Sequence, residues 1–159
     1  MRPLLLLLPW LWTADADPVP NPNWYATLPA CPCGNPDQNG VTPADGWARD
    51  KGNLAKYHPG AAACFRSYPA MRTAVGLSGQ QCCYGADGRL IKSGAGAGTP
   101  DKVSTCAGED KAGNMKLRLA GLYGHYVRDV RPWLRAGPPQ TAWKTYNQTW
   151  VPNVGSGCD

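Results

Sequence analysis

A chain of 159 residues has room for one domain of ordinary size and not comfortably for two, and its formal net charge of +5 permits attraction to acidic surfaces without requiring it. With 19 glycines, 16 prolines and one phenylalanine against seven tryptophans and seven tyrosines, the composition excludes a large aliphatic core. Cys31, Cys33, Cys64, Cys82, Cys83, Cys106 and Cys158 therefore read as disulfide candidates that supply stability which a thin core cannot, in an oxidising compartment.

In chain order, residues 1–16 read as a signal peptide. An apolar run from Leu4 to Trp12 follows Arg2, and Ala14-Asp15-Ala16 has the small-x-small form of a cleavage site. The run is shorter than the roughly 20 residues a membrane span needs, so no span is expected. Residues 17–29 form a lead-in whose Pro18, Pro20 and Pro22 favour an extended backbone. Cys31-Pro32-Cys33 then opens the cysteine-bearing region, followed by turn signals at Asn39-Gly40 and Pro43 to Gly46. Neither this pair nor Cys82-Cys83 has the C-x-x-C spacing of a zinc site, so neither metal nor cofactor is expected.

Trp47 to Tyr57 has helical propensity interrupted by Gly52, and the run ends in a turn at His58-Pro59-Gly60. Ala61 to Arg66 reads as a short helix carrying Cys64 inward. His58 reads as a turn histidine bonded to nearby backbone, because no second catalytic group stands at a telling spacing.

The stretch from Gly79 to Ile91 is the knot of the chain. Adjacent cysteines pair with one another only under strain, so Cys82 and Cys83 reach to different segments, two of Cys31, Cys33, Cys64 and Cys106. Gly85-Ala86-Asp87-Gly88 supplies a turn, which makes a β-hairpin the expected local structure. Ser93 to Asp101 reads as a flexible glycine-rich surface loop. It has neither the lysine register of a phosphate loop nor, with Glu109 and Asp110, the spacing of a calcium loop. The fold class is thus a small disulfide-rich, loop-rich α+β or mainly β domain with short hairpins and short helices.

Met115 to Leu119 alternates apolar and basic residues, the period of a half-buried strand. His125 stands four residues before Asp129, a pair that reads as a structural hydrogen bond for want of a nucleophile. Lys116, Arg118, Arg128, Arg131 and Arg135 form a candidate basic patch. In the tail, residues 136–159, Trp143, Tyr146 and Trp150 have the spacing of one helix face, and Asn147-Gln148-Thr149 is the one glycosylation sequon. These aromatics complete the candidate binding patch. Cys158 reads as unpaired, as a tether to another chain, or as a clip for the tail.

Several blocks in order resemble the AMOP domain, an adhesion-associated domain of membrane mucins, isthmins and sushi-domain surface proteins. They are Cys31-Pro32-Cys33; Trp47 and Asp50; Tyr57 to Ala61 with Cys64-Phe65-Arg66-Ser67; Gly79 to Tyr84 with Gly88 and Leu90-Ile91; Gly98 to Asp101; and His125, Asp129-Val130 and Pro132. The resemblance spans roughly Ala30 to Trp133, and a domain over 30–135 is expected. It implies an extracellular, disulfide-bonded, non-catalytic module that serves adhesion or ligand binding. The family pattern commonly places a cysteine soon after the His and Asp-Val block, whereas Trp133 to Ala136 has none, which leaves Cys106 or Cys158 to stand in. The expected partner is an extracellular protein or cell-surface assembly, with acidic or sulfated glycans as the alternative and no nucleic acid. A secreted phospholipase-A2-like hydrolase is a remoter reading, because no histidine follows Tyr84 ahead of Asp87.

Overall fold

The computed structural model describes residues 23–39, 46–107, 115–146 and 151–159. The signal peptide over 1–16, the first part of the lead-in, Asn147 and Trp150 lie outside the described residues.

An antiparallel sheet of five short strands organises the chain: β1 (Trp47–Arg49), β2 (Ala63–Ser67), β3 (Met71–Thr73), β4 (Gly76–Tyr84) and β5 (Pro100–Asp101). The order is β1-β2-β4-β3, with β5 also paired to β4. β4 is the central element because it pairs with β3 at Gly76 to Ser78, β5 at Gly79 and Gln80, and β2 at Gln81 to Tyr84. From Ser78 to Tyr84 it is buried on both faces, hence the missing polar alternation.

Successive strand residues face opposite ways, so Cys82 and Cys83 leave β4 in opposite directions. Cys82 bonds Cys31, and Cys83 bonds Cys64, its direct partner across β2. Ala63, Phe65, Cys82 and Tyr84 form the core with Cys31 and Leu90, and Trp47 and Cys158 pack against it. Tyr84 donates its hydroxyl hydrogen to the Pro32 carbonyl at 2.8 Å. A smaller apolar cluster holds Trp24, Leu28 and Val75.

The expected hairpin forms. The Gly88 amide donates to the Gly85 carbonyl at 3.0 Å with Gly88 at φ +75°, and Leu90 bridges back to Tyr84. Cys158 is the clip: it bonds Cys33 across 125 residues, and Asn153 bonds Cys31 N–H and the Pro29 carbonyl. Cys106 keeps a buried thiol.

Four local expectations are corrected. Trp47 begins a strand, and the helix of that stretch is one turn, α1 (Leu54–Tyr57), capped by the Asn53 side chain. Ala63 to Ser67 is strand rather than helix, because register with β4 and the Cys64–Cys83 bond outweigh alanine propensity. The glycine loop is not a free surface loop: Gly96, Ala97 and Gly98 are buried, and a Cβ on Gly98 would collide with the Gln81 carbonyl. Met115 to Leu119 opens a helix, α2 (Met115–His125), whose residues include no β-branched side chain and many strong helix formers.

α2 runs on through a π-helical turn, Tyr126–Val130, into α3 (Arg131–Arg135), and α4 (Pro139–Thr145) packs back on α3. Among the described residues no helix is long and apolar enough to cross a membrane.

Candidate functional site

The polar face of the sheet carries a buried chain of charges. Arg66 on β2 lies across from Gln81 on β4, and its guanidinium joins two carboxylates, Asp50 Oδ2 through Nη1 and Asp101 Oδ2 through Nε, each at 2.6 Å. Asp50 lies just beyond β1 and also accepts from Gln81 Nε2 at 2.7 Å and Gly52 N–H at 2.8 Å. Asp101 ends β5. Behind it, His125 Nδ1 lies 3.4 Å from Asp129 Oδ2 and 3.9 Å from Asp101 Oδ2.

Asp129 is spent on backbone. Its Oδ1 accepts Lys102 N–H at 2.8 Å and its Oδ2 accepts Val103 N–H at 3.0 Å. His125 Nδ1 sits 2.9 Å from the Val103 carbonyl and His58 Nδ1 sits 3.1 Å from the Ala97 carbonyl; a carbonyl only accepts, so both Nδ1 atoms carry hydrogen. Both histidines thus hold backbone, as expected of His58, although its partner lies 39 residues away rather than nearby.

The network sets the charges. Burial opposes ionisation of Asp50, but Arg66 and the bonds from Gly52 and Gln81 hold its carboxyl below the usual range. Burial pushes the Asp101 carboxyl up, against the pull of Arg66 and His125. Burial and the nearby Arg66 charge lower the pKa of His58. Burial alone would lower that of His125 too, but Asp101 and Asp129 outweigh it and raise it. The Arg66 guanidinium stays protonated, its two carboxylates outweighing burial.

These groups floor a cleft of about 680 Å³ between the sheet and the helical stretch. Its walls include Trp47, Tyr57, Phe65, Leu122, Trp133 and Tyr146. Trp133 stacks edge-on against Tyr146 at 5.4 Å, and its buried indole N–H has no hydrogen-bond partner among the described residues. At the rim, Arg49 pairs with Asp37 and lies over the Phe65 ring.

Asp101, His125 and Asp129 approach closely enough to share a metal ion. The donor set does not fit one. Arg66 already supplies a cation to Asp101, and both Asp129 oxygens are engaged by amide hydrogens.

Of the candidate patch, Lys116, Arg118, Arg128, Arg131 and Arg135 share the continuous helical stretch from Met115 to Arg135, and Arg118 reaches the cleft. Trp143 lies on α4, with Tyr146 just past its end. Sequence reasoning passed over Asp50, Arg66 and Gln81 as site residues. A signal was present: every member of the network lies in one of the blocks that carried the family resemblance, and charged residues there mark polar contacts between segments.

The AMOP domain family matches residues 11–159 of the chain. Human sushi domain-containing protein 2 is 40% identical over 87 residues, which is 51% of this chain and 10% of that relative. The chain thus spans a small part of the relative's length. No solved structure matches the chain.

Proposed function

The chain belongs to the AMOP domain family, and from that premise we propose that it is a secreted, non-catalytic interaction module that docks an extracellular protein in the cleft. The observation that carries the reading is the division of labour within the cleft. The floor charges are engaged by one another and by backbone, whereas the walls offer aromatic surface. General acid–base chemistry needs a group free to exchange its proton with a substrate, and His125 and Asp129 are committed to the backbone of residues 102 and 103. Residues 1–16 would direct export and be removed, and Asn147 would carry a glycan; the intact mass of the exported chain reports both.

The test is cross-linking of the folded chain to proteins of the extracellular medium and cell surface. Paired substitutions Leu54→Asp and Tyr57→Asp in the cleft wall should reduce a captured partner by roughly tenfold. Capture unchanged by that pair, or turnover of a substrate that His125→Gln abolishes, overturns the reading. Acidic glycans are the second reading, favoured by the five cations of the helical stretch. Salt-sensitive retention on heparin, lost when Arg118, Arg128 and Arg131 are neutralised, would support it.

A further inference from the structure

α2 is amphipathic in the inverted sense. Gly121 and Gly124 face the body: a Cβ on Gly121 would lie 2.5 Å from the Ala107 carbonyl oxygen, and one on Gly124 would lie 3.1 Å from Val103 Cγ1. His125, one turn beyond Gly121, faces the same way onto the Val103 carbonyl. Four large apolar residues point outward. Leu119, Leu122, Tyr123 and Tyr126 are 57, 50, 71 and 48% exposed, and they recur at i, i+3, i+4 and i+7, one stripe two turns long. A helix of a finished monomer normally turns that stripe inward, so an outward stripe marks a docking face.

Charge selects the occupant. From Met115 to Tyr146 the chain carries Lys116, Arg118, Arg128, Arg131, Arg135 and Lys144, and its one carboxylate, Asp129, is buried and engaged. Lys116, Arg118 and Arg131 are exposed. A second copy would set these cations against their own kind. A polysaccharide would answer the cations but not the leucines. We propose that this face binds an acidic amphipathic segment of another protein, with apolar residues at helical spacing laid on Leu119, Leu122, Tyr123 and Tyr126 and flanking carboxylates on the cationic rim. Leu122 and Arg118 lie where this face meets the cleft, while Leu119, Tyr123 and Tyr126 do not line it, so the α1 wall and this face are broken by different substitutions.

The probe is a synthetic helical peptide with leucines at i, i+3, i+4 and i+7 and flanking glutamates, titrated with the full disulfide-bonded chain by fluorescence anisotropy. It should bind at least about tenfold more tightly than a version with flanking lysines, and it should weaken as salt rises. Paired Leu119→Ser and Tyr123→Ser should cost roughly tenfold or more, with unchanged circular dichroism, while Leu54→Asp with Tyr57→Asp leaves affinity intact. Several results overturn the inference: no binding of the glutamate peptide; equal binding of both peptides; binding to phosphatidylserine vesicles or heparin in its place; or a concentration-dependent dimer in sedimentation that the Leu119 and Tyr123 substitutions abolish.

Discussion

Residues 46–107 bury both faces of their central strand and carry two disulfides, one internal and one reaching out to Cys31, whereas residues 115–146 take part in none of the three bonds and turn large apolar side chains to water. The sheet is specified by covalent pairing and a buried ion network. The helical arm is held by glycines that permit close approach and by two side chains, His125 and Asp129, that grip the backbone after β5. Two levels of stability in one domain are the expected consequence, because local opening follows the density of buried contacts.

The sharpest way to break the sheet side is at Arg66. Its replacement by methionine leaves Asp50 and Asp101 buried without their cation, which should cost about 3–5 kcal/mol in urea unfolding. Adding Asp50→Asn and Asp101→Asn should recover most of the loss. Failure of the triple variant to recover would show that the arginine packs rather than pairs.

Asp129→Ala tests the arm. It removes acceptors from two backbone amides and should cost about 1–3 kcal/mol. Hydrogen exchange should quicken across residues 115–135 while the amides shared by β2 and β4 keep their protection. Uniform quickening would erase the distinction between the two regions.

Much of this division was legible in advance, and the exceptions are instructive. The double cysteine, the turn behind it and the need for two outgoing bridges follow from residues 79–91 alone, because disulfide geometry and glycine conformation are local properties. The strand at Ala63 was not legible, since the run Ala61 to Ala63 that leads into it favours helix and its pairing with residues 81–84 is a contact across the chain. The alternation of Met115 to Leu119 misled because five residues are too few to separate a period of 2 from one of 3.6; the helical period shows only when Leu119 is counted with Leu122, Tyr123 and Tyr126. His125 and Asp129 were visible as a pair, but Arg66 and Asp50 become a site only when β2 and β4 lie side by side.

Acidity separates the regions by sign. His125 has a raised pKa when folded, so its stabilising effect is complete below the unfolded value near 6.5 and fades as pH rises through the folded value. His58 has a lowered pKa, so its neutral ring is tolerated above 6.5 and a penalty grows as pH falls from there through the folded value. Arg66, Asp101 and Asp129 face His125, and Arg66, Asp50 and Asp101 act on His58. Acidification from about pH 8 toward pH 5 should therefore tighten the arm and loosen the loop at Ala97. Exchange rates in the two segments should move oppositely, with His125→Gln flattening the first trend and His58→Gln the second. Trends of the same sign in both segments would refute the assignment.

The smallest expected effect is the most telling about the arm. In the sheet, truncating Phe65 would open a cavity among Ala63, Cys82 and Tyr84 at a cost of about 3–5 kcal/mol. On the outward stripe, Leu119→Ser and Tyr123→Ser should each change stability by no more than about 0.5 kcal/mol, because neither side chain loses a packed surroundings when it is truncated. Thermal melts of the single variants read this directly. A loss above about 2 kcal/mol would mean that the stripe is covered within the folded chain and that its leucines and tyrosines serve the fold. A near-silent result leaves a face with large apolar residues and no structural use for them, which is the property expected of a surface kept for a partner.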